Sequence, residues 1–331
     1  MARALSVFVH THGHCFDGLA SAALFQRLIQ LEEPDARLDV TFRSCGYSPK
    51  FRAVPTRWLS GDRNAILDFR YTESARLTHY FDHHATAFDS EDERHAAELA
   101  AGRDRRRALH FDPTCSSCAK LIDRVARERG TPLDSDELVR WADCVDAARF
   151  DSPETAFFAK EPALVLADVV ERHGDTPFIQ RVAPLLASRP LDEVAADPNI
   201  VALAKPLGDA KRVFLDAIRQ HGRMADGIVV IDLADASLTP AGKFASYVAF
   251  PTCRYAVVLL RTHNQLKLGV SHNPWSGLAR EHDIAALCRA EGGGGHPMVG
   301  AVNFSHDSLV EARAALRRVT GALQRPPPSS A

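Results

Sequence analysis

The segment LSVFV at residues 5–9 is almost wholly apolar and predicts a buried strand. A polar loop, HGHCFDG at residues 12–18, follows it, and residues 18–31 then carry apolar side chains at helical spacing. Three more short apolar runs predict strands: residues 38–42, 64–67 and 77–81. Because strands that alternate with helices favour a doubly wound, mainly parallel sheet, we expect an α/β fold for this part of the chain.

The rest of the sequence divides into a helical stretch and a second, smaller α/β pattern. Residues 115–222 are predicted to be mainly helical, and strand-like and helical runs then alternate from residue 227 onward. We therefore expect four regions: a first domain at residues 1–190, a helical linker at 191–224, a smaller α/β domain at 225–325 and a disordered tail at 326–331.

At 331 residues the chain is long enough for two domains, and its formal net charge is −2. That charge argues against a protein that binds long duplex DNA through a basic surface, but it allows short oligonucleotides or dinucleotides. Seven cysteines at irregular spacing do not predict a disulfide framework. The sequence has no apolar run long enough for a membrane span and no signal-peptide pattern, so we expect a cytoplasmic protein without membrane attachment. A homodimer is compatible with these features.

Acidic and imidazole side chains follow the predicted strands of the first domain. They are His12, Asp17, Asp68, Asp82, His83 and His84. Because ligands bind beyond the carboxyl ends of strands in doubly wound sheets, we expect these side chains to converge. Such oxygen and nitrogen ligands suit Mn²⁺, Mg²⁺, Co²⁺ or Fe²⁺, and Zn²⁺ is also compatible. Since the candidates exceed what one ion needs, the sequence predicts two divalent ions that activate water for attack on phosphorus.

The ordered motifs resemble those of the DHH phosphoesterase family, which is named for its Asp-His-His tract. They run in the order His12-Gly-His-Cys-Phe-Asp17-Gly18, Asp68, Asp82-His83-His84, Asp146 and Gly-Gly-Gly-His296. The family includes RecJ-type exonucleases, phosphodiesterases that act on nanoRNA and manganese pyrophosphatases, and the resemblance covers nearly the whole chain. It implies a metal-binding catalytic domain followed by a substrate-binding domain.

The resemblance also implies a role for each motif residue. The metal ligands would be His12 for the first ion, Asp17 and His83 for the second, and Asp68 as a bridge between both. His84 would contact the scissile phosphate or the metal-bound water. Asp82 would not bind a metal ion itself but would orient a ligand histidine.

Two parts of the pattern leave alternatives open. Asp146 is the preferred fourth-motif ligand, because the following residues AARFDSP resemble the family's pattern, but Asp143 lies one helical turn earlier and could face the same site. Cys15 stands where the usual first motif of the family has an acid. Its thiolate could ligate a metal, with a bias towards zinc or iron, or it could be a buried neighbour of the ligands.

The second domain carries the candidates for substrate binding. The run GGGGHPMVG at residues 292–300 resembles the family's glycine-rich motif, in which the backbone can approach a phosphate closely. Gly294, Gly295 and the side chain of His296 are the candidates in this run. Asn273 and Arg261 lie at predicted strand ends of the same domain and could also face the substrate.

Together these features predict a divalent-metal-dependent phosphoesterase that hydrolyses phosphodiester or phosphomonoester bonds of short oligonucleotides or dinucleotides. A pyrophosphatase and a RecJ-like exonuclease are the alternatives within the family. A nucleotide-binding sensor that lacks catalysis is the alternative from another class of protein. Two other features have structural interpretations: Cys115 and Cys118 as packing at the start of a helix, and residues 91–108 as a solvated polar loop.

Overall fold

We describe a computed structural model of the chain, covering residues 3–46, 52–104, 106–236, 238, 240–262 and 265–326. The chain forms two compact units. The first contains the residues up to 150 together with 159–204, and the second contains 151–158 together with the chain from 205 onward. The division between residues 204 and 205 falls inside the segment predicted as a linker. The tail predicted at 326–331 lies outside the described residues from 327 onward.

Strands and helices follow one another along both units. The strands are β1 Arg3–His12, β2 Ala36–Cys45, β3 Arg63–Leu67, β4 His79–Asp82, β5 Ala108–Phe111, β6 Arg223–Ala225, β7 Ile228–Leu233, β8 Tyr255–Arg261, β9 Leu266–His272, β10 Gly294–His296 and β11 Val299–Phe304. The helices are α1 Phe16–Glu32, α2 Glu91–Arg103, α3 Cys118–Glu128, α4 Asp136–Asp146, α5 Pro153–Phe158, α6 Pro162–His173, α7 Thr176–Ser188, α8 Leu191–Ala195, α9 Pro198–His221, α10 Ala245–Ala249, α11 Ile284–Ala290 and α12 Leu309–Leu323.

The sheet of the first unit has five parallel strands in the order β2-β1-β3-β4-β5. Strand β1 pairs with β2 on one side and with β3 on the other, so the chain adds its later strands on the side of β1 opposite to β2. This is the topology of a doubly wound sheet, and the predicted α/β fold is confirmed. Because all five strands run the same way, the carboxyl ends of β1, β3 and β4 lie at one edge of the sheet.

Helix α1 is packed closely against the end of β1 because residue 18 is a glycine. A Cβ atom at Gly18 would lie 2.0 Å from the carbonyl oxygen of His12, a distance that only glycine avoids. The hydroxyl of Thr11 donates a hydrogen bond of 2.6 Å to the Gly18 carbonyl. Most of α1 is buried, from Phe16 to Ile29, so its position follows from packing as well as from this contact.

Residues 91–108 are not the loop that the sequence predicted, because most of them form helix α2. Ser90 caps the helix by accepting a hydrogen bond from the backbone N–H of Glu93 at 3.2 Å, and three acidic residues occupy the first turn. Strand β5 follows and pairs with β4. Its four residues are too few for a period to be recognised in the sequence.

The second unit contains a six-stranded sheet in the order β10-β11-β9-β8-β7-β6. Strands β7 and β8 are parallel and the other neighbouring strands are antiparallel. Residues of α11 and α12 form one hydrophobic cluster with the sheet, and residues of α9 and α10 form a second cluster with it. The expected smaller α/β unit is therefore present.

Within the described residues, none of the helices has both the length and the apolar character needed to traverse a bilayer. Helix α9 is the longest that the structure describes, at 24 residues, and it carries several charged side chains.

Candidate metal centre

The candidate ligands come from neighbouring strand ends of the first unit. His12 is the last residue of β1, Asp82 is the last residue of β4, and Asp68 comes directly after β3. Asp68 has a left-handed backbone, with φ of 54°, and its N–H donates a hydrogen bond of 2.9 Å to the Phe81 carbonyl. The parallel register therefore brings together side chains that are far apart along the chain, as the sequence predicted.

Asp68 lies at the middle of the cluster. One carboxylate oxygen, Oδ2, is 3.5 Å from Nδ1 of His12, and the other, Oδ1, is 3.6 Å from Nε2 of His83 and 3.6 Å from Nδ1 of His84. These distances exceed those of ordinary hydrogen bonds. Asp68 is only 1% exposed, and among the described residues neither of its oxygens has a hydrogen-bond partner. Such buried, unsatisfied oxygens are costly unless they bind something.

The start of helix α3 holds two other candidate ligands in place. The Asp17 carboxylate accepts hydrogen bonds from the backbone N–H groups of Cys118 at 2.7 Å and Ala119 at 2.9 Å. These amides have no partner within a helix, and they favour negative charge. The carbonyl of Cys115 lies 3.1 Å from Nδ1 of His83. Because a carbonyl can only accept, Nδ1 carries the hydrogen and Nε2 of His83 is left facing the carboxylates.

Asp82 holds His83 and His84 in place through hydrogen bonds. Its Oδ1 accepts hydrogen bonds from the backbone N–H groups of His83 at 2.7 Å and His84 at 3.1 Å, and from Nδ1 of His84 at 2.8 Å. Its Oδ2 accepts a hydrogen bond of 3.0 Å from the Tyr80 hydroxyl. Asp82 is buried, and both of its carboxylate oxygens accept hydrogen bonds. Its contact with Nδ1 fixes the ring of His84, so Nε2 is the ring nitrogen that Asp82 does not hold.

Helix α4 presents its two candidate acids to different surroundings. Oδ2 of Asp146 lies 3.4 Å from Nε2 of His83, so Asp146 joins the cluster. Asp143 instead accepts hydrogen bonds from Ser116, Lys120 and Arg149. Of the two positions that the sequence left open, the structure brings Asp146 to the other candidate ligands and Asp143 to two cations.

Cys15 precedes α1 and lies beside His12 and Asp68. Burial raises the pKa of the Cys15 thiol well above its ordinary value, and the charges of Asp68 and Asp17 raise it further. Without a cation the thiol is therefore neutral. A bound cation would favour the thiolate, and metal ligation by Cys15 stays a prediction.

The cluster shifts the pKa values of its members in opposite directions. Burial raises the pKa of Asp68, but its contacts with His12 and His83 outweigh burial and lower the pKa to about 2. Burial raises the pKa of Asp17 and of Asp146, and repulsion from Asp68 adds to both shifts. The hydrogen bond to Asp82 raises the pKa of His84. The negative charges crowded here are the kind that a metal ion stabilises.

The donor atoms suit divalent metal ions. Within the described residues they form three overlapping groups: Asp68 with Asp82, His83 and His84; His12 with Cys15 and Asp68; and Asp17 with His83 and Asp146. In each group the donor atoms lie within 4.8 Å of one another. Asp68 belongs to two of these groups and its two oxygens face different histidines, so it could serve as a ligand shared by two ions. The unsatisfied atoms of Asp68 and Nε2 of His83 show that the site fits bound cations.

The predicted substrate-binding residues of the second unit occupy two settings. Gly294, Gly295 and His296 form β10, where a Cβ atom at Gly295 would lie 2.3 Å from the Val299 carbonyl oxygen. The glycine is thus required by the close β10–β11 pairing, and the side chain of His296 is exposed. All three stay predictions as phosphate contacts.

The side chains of Asn273 and Arg261 are already engaged within the second unit. The Asn273 amide donates to the carbonyls of Pro251 and Cys253, each at 3.0 Å. The Arg261 guanidinium donates to the carbonyls of Ala234 at 2.8 Å and His306 at 3.1 Å. These contacts give both side chains a role in the fold, and substrate binding by either stays a prediction.

Sequence reasoning missed the groups that position the candidate ligands. For the start of α3 the sequence predicts only packing around Cys115 and Cys118, and no sequence signal marks the role of the Tyr80 hydroxyl. Ser117, which caps α3 by accepting a hydrogen bond from Lys120 N–H at 3.2 Å, is a local signal that a helix begins there. No local signal shows that the free amides of this helix meet Asp17, a residue 101 positions away.

No protein-family model and no curated protein sequence matches the chain. Solved structures match it in fold. The pGpG-specific phosphodiesterase PggH of Vibrio cholerae has a TM-score of 0.67 and 18% identity, covering 96% of this chain and 99% of that one. The exonuclease RecJ bound to manganese has a TM-score of 0.53 and 14% identity, covering 97% and 90%. A DHH domain described as a member of the s1p family of ribosomal proteins has a TM-score of 0.54 and 14% identity, covering 99% and 88%.

These neighbours include DHH-domain proteins, and they match nearly the whole of this chain. The chain therefore has the DHH-domain fold, and the resemblance that its motifs indicated is confirmed at the level of the fold.

Proposed function

We propose that this protein is a divalent-metal-dependent phosphoesterase that hydrolyses phosphodiester bonds of short oligonucleotides or dinucleotides. The observation that carries the proposal is the buried Asp68 carboxylate, whose two unsatisfied oxygens face different histidines. The nearest imidazole nitrogens of His12 and His83 lie 3.5 and 3.6 Å away, too far for ordinary hydrogen bonds. A pair of cations, one at each oxygen, would satisfy it.

The ligands would divide between two ions around Asp68. His12 and Oδ2 of Asp68 would hold one ion, with Cys15 beside them. Three other groups would hold the second ion together with Oδ1 of Asp68: Asp17, His83 and Asp146. Bound ions of this kind lower the pKa of water and stabilise the charge that develops on phosphorus, and Mn²⁺ is our first choice among them.

The protein's own groups would orient the ligands and the substrate. The Cys115 carbonyl keeps a hydrogen on Nδ1 of His83, so Nε2 is the ring nitrogen that would act as a metal ligand. Asp82 holds Nδ1 of His84, which leaves Nε2 to contact a phosphoryl oxygen. The ring of His84 is 37% exposed, which is compatible with contact to a substrate.

Three observations support a short nucleotide substrate. The net charge of −2 provides no broad basic surface for a long duplex. The second unit carries the glycine-rich run with His296, a motif suited to binding a single phosphate. A neighbour in fold, PggH, is a pGpG-specific phosphodiesterase. We therefore place dinucleotides such as pGpG and pApA first among the substrates to be tested.

The test compares the wild type with Asp68→Asn, which keeps the size of the side chain but removes its charge. The assay measures Mn²⁺-stimulated hydrolysis of bis-p-nitrophenyl phosphate, pGpG and pApA, with bound metal determined by elemental analysis. We expect the wild type to bind two ions and to turn over substrate, and Asp68→Asn to lose at least about 100-fold in kcat, as expected when a charge-stabilising group is removed.

Asp134→Asn is the matched control, because Asp134 also has a left-handed backbone, with φ of 49°, but lies outside the cluster. Hydrolysis by Asp68→Asn at the wild-type rate would refute the proposal. Nucleotide binding by a metal-free wild type that has no hydrolytic activity would favour the sensor instead.

A further inference from the structure

Asp143 lies at the centre of a small cationic cluster next to the candidate metal centre. Its Oδ2 accepts from Nζ of Lys120 at 3.2 Å and from Nη2 of Arg149 at 2.8 Å, and its Oδ1 accepts a short hydrogen bond from the Ser116 hydroxyl. Nη2 of Arg149 also donates to the Ser116 hydroxyl oxygen at 2.7 Å. Because two cations share one carboxylate, the cluster keeps a net positive charge.

Each member of this cluster adjoins a group that forms or positions the metal centre. Lys120 follows directly on the two amides that hold Asp17. Arg149 lies three residues beyond Asp146, and Ser116 follows the carbonyl that fixes the candidate imidazole ligand. The cations are therefore carried by the same chain segments that form and position the metal centre.

The charge of the metal centre explains why such cations would be useful. Four carboxylates belong to it: Asp17, Asp68, Asp82 and Asp146. Two divalent ions would only balance these charges, because histidine ligands are neutral. A loaded centre would then have little net charge with which to attract a phosphodiester. Positive groups beside it would supply the missing attraction.

The two side chains are suited to bind a phosphate. Lys120 and Arg149 are 45% and 55% exposed, so both are anchored at Asp143 and still accessible to a ligand. A guanidinium has five N–H donors and can bind a phosphate in a bidentate manner, and the ammonium of a lysine adds a point charge. Anchoring reduces the entropy that each side chain would lose when the ligand binds.

We propose that Lys120 and Arg149, held in place by Asp143, bind a non-scissile phosphate of the substrate beside the metal centre. This inference rests on the proposed function, and it assigns Asp143 to the positioning of cations and not to metal ligation. It also predicts that a substrate with a second phosphate group, in addition to the one that is hydrolysed, binds more tightly than a substrate with only one.

The test uses the variants Lys120→Gln and Arg149→Gln in the full chain loaded with Mn²⁺. For pGpG, which carries a 5′ phosphate, we expect each variant to raise KM roughly tenfold, as for the loss of one charge-assisted hydrogen bond, with kcat within about twofold of the wild type. The Kd of a non-hydrolysable phosphorothioate analogue should rise by a similar factor. Hydrolysis of GpG, which lacks the 5′ phosphate, should change by less than about threefold. Lys120→Arg should restore most of the affinity, because it keeps the charge.

Arg127→Gln is the matched control, because Arg127 lies on the same helix and is also paired with two carboxylates, Asp123 and Asp136. It should leave KM and the analogue Kd unchanged. Asp143→Asn should weaken analogue binding but leave two bound ions, as measured by elemental analysis.

Three outcomes would overturn the inference: wild-type analogue affinity in both glutamine variants, an equal effect on pGpG and GpG, or the loss of a bound ion in Asp143→Asn. If the wild type hydrolyses none of the substrates, the proposed function fails. Binding of the analogue still tests the two cations in that case.

Discussion

Removing divalent ions should make the stability of the first unit fall as pH rises, because of His83. Burial lowers the pKa of His83, but its contact with Asp68 and the charges of Asp17 and Asp146 outweigh burial and raise the pKa from 6.5 to about 9. A group whose pKa is raised in the folded state contributes its full stability below the pKa of the unfolded chain. It loses that contribution as pH rises through the pKa of the folded state.

The size of this effect follows from the two pKa values. The difference between 6.5 and about 9 corresponds to about 3 kcal/mol, at about 1.4 kcal/mol for each pH unit. Because His83 titrates together with the carboxylates around it, the change is spread over several groups. We therefore expect the free energy of unfolding of the metal-free protein to fall by about 1–3 kcal/mol between about pH 6 and about pH 9.

The assay is thermal unfolding of EDTA-treated protein across this pH range at low ionic strength. For a unit of this size each kcal/mol corresponds to about 2–4 °C in Tm. Saturating Mn²⁺ should oppose the loss, because a histidine ligand must be neutral and metal binding therefore strengthens as pH rises. The variant His83→Gln should lack the His83 component. The reasoning is refuted if the metal-free wild type and His83→Gln lose stability equally over this range.

Two further predictions concern the first motif. Gly18→Ala should destabilise the first unit by about 1–3 kcal/mol and weaken metal binding, because the added Cβ would lie 2.0 Å from the His12 carbonyl oxygen. Thermal unfolding and metal titration measure the two effects. The control is Gly102→Ala, whose added Cβ would lie in open space and should not destabilise the protein. Cys15→Ser should lower Zn²⁺ affinity by more than Mn²⁺ affinity, because a thiolate is the softer ligand; equal changes for the two metals in a competition titration would exclude Cys15 as a ligand.

Strands β1 to β4 and the first helix could be predicted because their signals are local. The run at residues 5–9 lies within β1, and the helical spacing that begins at residue 18 lies within α1. Helix α2 was missed because it has a single buried residue, Ala97, and a polar exposed surface resembles a loop in sequence. Strand β5 was missed because it has only four residues.

The candidate site could be predicted in part for the same reason. Because parallel strands end at one edge of a sheet, polar residues just after the predicted strands could be expected to meet there, and His12, Asp68 and His83 do so. The sequence could not choose between Asp143 and Asp146. These acids lie one turn apart on α4, and only the packing of that helix against α3 separates their surroundings.

The kind of sheet and the residue types at its carboxyl edge can be predicted from residues that are neighbours along the chain, because strand periodicity and strand ends are local features. Three contacts could not be predicted in this way: the amides of α3 with Asp17, the Cys115 carbonyl with Nδ1 of His83, and Asp143 with two cations. These contacts join residues from separate elements, and their geometry depends on how the helices pack on the sheet.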